Sequence, residues 1–320
     1  MATSKQLQFL ASDATASVVR SGLRSTPKRL PSWLFYDEAG SALFEQITTL
    51  PEYYLTRTER SIFESSAGEM LEAAGSDLTL VELGAGTASK TCVLIEELLR
   101  CQKRALFYPI DVSPSALQEA VKQLGQQFPQ LRVNPIVADY TGGVEALNRI
   151  LGRKLVLYIG SSIGNFELDE SVRMLRRIRR SLRAGDALLL GADFAKSAKI
   201  LVPAYDDAEG VTAAFNKNIL ARLNRELGAD FDPDAFRHVA LWNRQCSRME
   251  IYLESLREQQ VFLPMLDMDA SFAAGERIHT ENSYKYTMDM VEAILRDSGF
   301  KLEQTWTDRQ KWFGVHLARV

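Results

Sequence analysis

The chain has 320 residues, room for one large or two ordinary domains at the usual ~100–200 residues each. It is 46% hydrophobic and 25% charged, with a formal net charge of −3, the balance of a soluble globular protein with a real core and no general attraction to polyanions. No apolar run approaches the ~20 residues of a membrane span, and Met1 to Leu10 lacks the layout of a secretory signal, so a cytoplasmic protein off the membrane is expected.

The first 60 residues do not read as the start of a nucleotide-binding sheet. Gln6 to Ser21 can form an amphipathic helix, and Arg24 to Pro31 is a polar loop with two prolines. Trp33 to Asp37 is an aromatic cluster, followed by Gly40 and a short helix through Ile47. In Leu50 to Glu59, Thr58 is placed to cap a helix running to about Ala74. The tyrosines here either pack this arm against the body or carry hydroxyls that line a pocket.

From residue 78 strands alternate with helices, which argues for a parallel, doubly wound sheet. Strands are expected at Leu78 to Leu83, Leu106 to Asp111, Val133 to Ala138, Leu155 to Ile159 and Ala187 to Asp193. Helices are expected from Lys90 to Leu99, from Ser113-Pro114 to about Phe128, and over 168–182. Charges in Arg173 to Arg183 interleave with Met174, Leu175, Ile178 and Leu182 at helical spacing, a solvated helix face. Residues 196 to about 286 read as helix-rich, with strands at Arg248 to Leu253 and Gln259 to Leu263, an inserted α+β region. The alternation then resumes with a helix Met288 to Ser298 and closing strands near Leu302 to Thr307 and Trp312 to Ala318. Two domains follow: 1–60 with 196–286 for substrate, and 61–195 with 287–320 for a cofactor. The insertion and the arm are expected to pack together over the sheet's carboxyl edge.

The chemistry concentrates at strand ends, where open α/β sheets bind ligands. Val81-Glu82-Leu83-Gly84-Ala85-Gly86 turns a buried strand sharply toward a helix, and glycine lets a ligand approach bare backbone. A dinucleotide fingerprint wants a third glycine where Ser89 stands, and the phosphate-loop pattern also fails. A glutamate before the turn suits a positively charged ligand, which points to S-adenosylmethionine (SAM). Asp111 ends the second strand, where one carboxylate can accept from both hydroxyls of a ribose. Asp139-Tyr140 follows the third, placed for an adenine. Each acid alone could equally be a helix cap; two in register with the glycine turn favour a nucleoside. The three cysteines, Cys92, Cys101 and Cys246, and three dispersed histidines show no metal-ligand spacing, so no metal is expected.

Phe35-Tyr36-Asp37, Leu50 to Tyr54, Val81 to Lys90, Ile159 to Asn165, Ala204 to Asp207, Phe215-Asn216 and Ile278 to Tyr284 occur in one order. In this the chain closely resembles the histidine-specific SAM-dependent methyltransferases of ergothioneine biosynthesis, over essentially its whole length. The resemblance implies a Rossmann-like class I methyltransferase sheet with an inserted α+β substrate domain. It implies trimethylation of the α-amino group of L-histidine, through its mono- and dimethyl forms, to hercynine, with S-adenosylhomocysteine (SAH) as by-product. Position by position, it assigns cofactor contacts to Tyr53, Gly84, Gly86, Lys90, Asp111, Asp139 and Tyr140. Substrate contacts fall to Tyr36, Tyr53, Gly160, Asn165, Tyr205, Phe215, Ile251, Glu281 and Ser283, with Tyr36 and Asn165 nearest the chemistry. Glu281 and Ser283, two apart on an extended segment, point to one side and can bond both imidazole nitrogens.

Ile251 stands where family members often carry methionine, which changes pocket volume slightly. The rival enzyme reading is an N-methyltransferase for another aromatic amino acid or amine such as tryptophan, which would be expected to lack the acid at Glu281. A nucleic-acid methyltransferase is disfavoured by the acidic balance and by the lack of an Asn-Pro-Pro-aromatic motif. A monomer is expected.

Overall fold

Leu78–Leu83 is buried along its whole length, so its sheet must be covered on both faces. It pairs in parallel with Ala105–Asp111 on one side and Arg153–Tyr158 on the other. Beyond these lie Leu131–Val133 at one edge and Ala187–Asp193 toward the other, both parallel. Phe313–Arg319 joins antiparallel to Ala187–Asp193, and Lys301–Thr307 closes the edge antiparallel to it. Numbered in chain order, these seven strands run 3-2-1-4-5-7-6. The order reverses between Leu78–Leu83 and Arg153–Tyr158, the switch point where such sheets open a crevice. This is the Rossmann-like methyltransferase sheet.

Successive residues of a strand point to opposite faces, and the core divides accordingly. Leu80, Leu155, Leu157 and Leu189 pack with Ile62, Phe63, Met70, Leu94 and Leu98, from the helices Tyr54–Ala74 and Cys92–Cys101. Val81, Val156, Leu188 and Leu190 pack with Val144, Met174, Leu175, Ile178 and Ile294, from the helices Tyr140–Leu147, Leu168–Arg180 and Met288–Asp297.

The computed structural model describes residues 15–320. Residues 6–14 of the helix expected over Gln6 to Ser21 lie outside the described residues, and 15–24 are helical. The chain divides into two units: Tyr54–Ser197 with Ser283–Val320, which holds the sheet, and Met1–Tyr53 with Ala198–Asn282. The segments 54–60, 196–197 and 283–286, expected with the arm and the insertion, fall in the sheet unit.

The second unit has its own sheet, Lys28–Arg29, Arg277–Tyr284, Arg248–Ser255 and Phe236–Asn243 in that order, and a separate hairpin, Gln259–Leu263 with Met268–Phe272. The long helix Val211–Leu227 contributes Phe215, Ile219 and Leu223 to a core shared with Leu34, Phe35, Ile47, Phe236, Leu253 and Phe272.

Several expectations are corrected. Thr58 caps nothing. The helix begins at Tyr54, because Tyr54 is buried and its hydroxyl donates to Asp193 Oδ2 at 2.6 Å. The helix after the glycine turn starts at Cys92 rather than Lys90; the Thr91 hydroxyl donates to Glu82 at 2.7 Å, keeping the preceding residue in the turn. The strand expected over Val133 to Ala138 breaks into Leu131–Val133 and Ile136–Val137, since Pro135 between them has no N–H for the ladder. The insertion is more β-rich than its sequence suggests: Phe236–Asn243, Met268–Phe272 and Arg277–Tyr284 are strands.

Candidate active site

The glycine turn bends as its sequence requires. Gly84 and Gly86 both sit at positive φ, +75° and +52°. A side-chain carbon built on Gly86 would meet nothing within 4 Å, so bare backbone faces open space there. One on Gly84 would stand 3.0 Å from Tyr140 Oη, so the tyrosine lies over the turn. Asp111 is oriented from both oxygens: Gly86 N donates to Oδ2 and Ser113 N to Oδ1, each at 2.8 Å. Burial raises the Asp111 carboxyl above the usual range, against the pull of those N–H bonds. Asp139 caps the helix Tyr140–Leu147 through Oδ1, which accepts from Gly142 N at 2.8 Å. Two acids beside the turn, an open cradle over Gly86 and a tyrosine whose hydroxyl burial pushes up to about 12 suit a nucleoside bearing positive charge. That is the fit SAM demands.

The fourth strand end joins this group through a residue that sequence reasoning does not single out. Glu59, wholly buried, takes Lys90 Nζ on Oε2 at 2.6 Å and Gly160 N on Oε1 at 2.8 Å. Gly160 is at φ +74°, and a side-chain carbon there would stand 3.1 Å from Lys90 Nζ. A signal for Glu59 exists: it falls on the buried stripe Leu55, Thr58, Glu59, Ile62, Phe63, where an acid needs a partner.

After Gly160 the chain makes the short helix Ser162–Asn165. Gly164 lets it pass close to Tyr284, whose carbonyl oxygen would lie 2.9 Å from any added side-chain carbon. Asn165 and Ser283 therefore sit on segments that approach each other at Gly164 and Tyr284. The Ser283 hydroxyl accepts from Lys285 Nζ at 3.0 Å, and Lys285, fully buried, is paired with Asp193 Oδ2 at 2.8 Å. Asp193 Oδ1 also accepts from Lys196 at 2.6 Å. Burial lowers Lys196 to about 8, with Asp193 opposing it.

Within the other unit, four expected residues come together as rings. Tyr36 meets Phe215 edge-on at 5.6 Å, and both meet Phe44, at 5.6 and 5.8 Å. Phe44 meets Tyr53 at 6.2 Å, and Tyr53 meets Tyr205 at 6.4 Å. Phe44, the ring that joins the others, carries no sequence signal beyond its place in an aromatic-rich arm. The Tyr205 carbonyl accepts from His238 Nε2 at 2.7 Å, and His238 Nδ1 faces the Asn216 amide at 2.9 Å. Asn216 Oδ1 accepts from Thr280 Oγ1 at 2.8 Å, so this chain of bonds ends beside Glu281. Burial lowers the His238 pKa, keeping a neutral ring that donates at one nitrogen and accepts at the other. Ile251 is buried opposite Ala240. Glu281 is half-buried on Arg277–Tyr284, the strand that also carries Ser283. Among the described residues no cluster of His, Cys, Asp and Glu could hold a metal ion.

The family model for histidine-specific, SAM-dependent methyltransferases matches residues 14–320. The chain belongs to this family. It is 44% identical over 316 residues to a histidine N-alpha-methyltransferase of Mycolicibacterium smegmatis, covering 97% of each chain. To the histidine N-alpha-methyltransferase of Mycobacterium tuberculosis it is 43% identical, covering 94% of this chain and 93% of that one. It also resembles ergothioneine biosynthesis protein 1 of Neurospora crassa at 29% identity, covering 91% of this chain but 33% of that longer one. The family is SAM-dependent, and SAM is this chain's cofactor.

Proposed function

We propose that the protein transfers three methyl groups in turn from SAM to the α-amino nitrogen of L-histidine, forming hercynine, the first step of ergothioneine biosynthesis. The observation that carries this reading is the match, over 94–97% of this chain, to histidine N-alpha-methyltransferases at 43–44% identity. That level of likeness favours histidine over tryptophan or another aromatic amine.

SAM supplies an electrophilic methyl on sulfur. The chain's own residues then have three tasks. The first is to hold the donor: Gly84, Gly86, Lys90, Asp111, Asp139 and Tyr140 take that role, with Tyr53. The second is to hold histidine by its two ends, leaving the amine unencumbered. Asn165 and Tyr205, with Tyr36 and Gly160, take the amino-acid end; as neutral donors the first two bind a carboxylate without adding positive charge beside a sulfonium. Glu281 and Ser283 take the imidazole, and Phe215 and Ile251 shape the apolar wall. The third task is proton removal, since only a neutral amine attacks. No histidine or lysine of the assigned substrate set is a base, so the proton leaves through water or a tyrosine-lined exit, with Tyr36 as relay. Catalysis is then mostly positioning, a close approach of nitrogen to methyl in a water-poor site. Each methylation strips the nitrogen of a donor hydrogen, so anchoring by carboxylate and imidazole permits three rounds.

Purified protein incubated with SAM and L-histidine should yield a product heavier by three methyl groups in mass spectrometry; turnover of tryptophan instead would sink the histidine reading. Glu281→Ala should raise the histidine KM roughly tenfold or more with a smaller change in kcat, and an unchanged KM would remove Glu281 from the imidazole site. The protein acts on small molecules, and we read it as a cytoplasmic monomer. Its described cysteines are unpaired, and a single-species molar mass near 35.9 kDa in light scattering is the check on oligomeric state.

A further inference from the structure

Glu59 is a carboxylate buried against the donor-side turns that the proposed reaction does not use. It lies on the helix Tyr54–Ala74, outside the strand ends, with no exposed surface. Its two oxygens divide between two elements. Oε2 receives the Lys90 ammonium at 2.6 Å, and Oε1 receives Gly160 N at 2.8 Å. Room for it comes from Gly191 on the fifth strand, where a side-chain carbon would come within 2.4 Å of Oε1. Lys90 is the less buried partner, its side chain 22% exposed against none for Glu59. The acid is thus the fixed member and the lysine the one that faces outward, over the bare Gly160 backbone.

We propose that Glu59 is a positioning residue of the methyl-donor site: it fixes the Lys90 ammonium over the Gly160 turn and balances its charge. Two physical arguments carry this. An ammonium on a flexible four-carbon stem has many rotamers, and a buried carboxylate at 2.6 Å selects one. With one N–H given to Glu59, two remain to be offered to the donor in a set direction. An unbalanced ammonium would also repel a sulfonium nearby; the Glu59–Lys90 pair is neutral as a unit. The other oxygen of the same carboxylate accepts from Gly160 N, a bond that a glutamine there can keep. The inference rests on the reading of the donor as SAM.

The test is SAH binding by isothermal titration calorimetry on the intact chain, alongside KM values for SAM and histidine. Glu59→Gln keeps size and can still accept from Gly160 N, but removes the charge that holds Lys90. It should weaken SAH roughly tenfold or more and raise the SAM KM in parallel, with the histidine KM moving less than about twofold. Lys90→Met should weaken SAH similarly, and adding Glu59→Gln to it should cost under about twofold more, because the effect runs through the lysine. A purely structural Glu59 would lower the melting temperature of Glu59→Gln while leaving SAH affinity as in wild type, and that result overturns the proposal. If Glu59→Gln does not fold, the Lys90→Met and Lys90→Met/Glu59→Gln pair carries the test, and a further large loss in the double variant overturns it. Wild-type protein that binds no SAH would sink the donor assignment and this proposal with it. Wild type that binds, with Glu59→Gln binding equally, removes only the role of Glu59.

Discussion

Glu82 makes a quantitative test of how this sheet treats charge. It is the penultimate residue of the all-buried strand Leu78–Leu83, only 2% exposed, and Oε2 accepts from the Thr91 hydroxyl at 2.7 Å. Burial, the largest influence, pushes its carboxyl up from 4.5 to about 8; Thr91 and Lys90 pull it down, and the Glu59 and Asp111 charges push it further up. At neutral pH the folded protein therefore keeps a proton on Glu82 that the unfolded chain has lost, which corrects the sequence expectation that this glutamate draws a cationic ligand: it is buried and neutral, bonded to Thr91. A raised folded pKa gives stability that is fully present below the unfolded value of 4.5 and is lost as pH rises through the folded value near 8. Between those limits the slope is about 1.4 kcal/mol per pH unit, so the loss from pH 6 to pH 8 is about 2–3 kcal/mol. Glu82→Gln is a neutral near-isostere that still accepts from Thr91 and does not titrate. Urea unfolding of both proteins at pH 6, 7 and 8 isolates the term, because every other titrating group is shared. The wild type should lose stability relative to the variant by about 1.4 kcal/mol per unit. Parallel curves would refute the reasoning: they would mean that Lys90 and Thr91 outweigh burial and keep Glu82 ionised in the fold.

Gly86→Ala separates folding from binding. The fold should tolerate it at a cost of about 1 kcal/mol for the left-handed φ, since the new methyl meets no atom within 4 Å, while SAH affinity falls roughly tenfold or more; unchanged affinity would show that no donor approaches that backbone. At the buried ion cluster, Asp193→Asn strands the ammoniums of both Lys196 and Lys285 and should destabilise by about 3–5 kcal/mol. Lys285→Met should cost less, because Asp193 keeps Lys196 and the Tyr54 hydroxyl, and the opposite ranking in thermal unfolding would contradict this account.

What could be read without coordinates follows from where each signal is stored. Leu78–Leu83 and Ala187–Asp193 are found with their expected bounds, because a strand buried on both faces is a continuous apolar run. The strands of the insertion carry no such run. Phe236–Asn243 is half-buried along most of its length, and its strand character comes from pairing with Arg248–Ser255, a tertiary context that local propensity does not contain. The same divide runs through the site. The places of Gly84, Gly86, Asp111 and Asp139 beside strand ends are legible because strand ends announce themselves in sequence; their part in holding the donor is what we propose.

Glu59, Phe44 and His238 are harder, since what each one does is decided by a distant partner: Gly160 for the first, Phe215 for the second, Tyr205 for the third. Yet Glu59 is not silent. A carboxylate on the apolar stripe of an amphipathic helix cannot be left bare, so its position demands a cation or a pair of N–H donors somewhere in the fold. Sequence states the demand, and only the fold names Lys90 and Gly160 as the answer. Asp193 follows the same logic: it ends an apolar strand fully buried, and Lys285, Lys196 and the Tyr54 hydroxyl together answer its charge. A buried charge in an apolar run is thus the place where a chain of this kind discloses a partner before its structure is known.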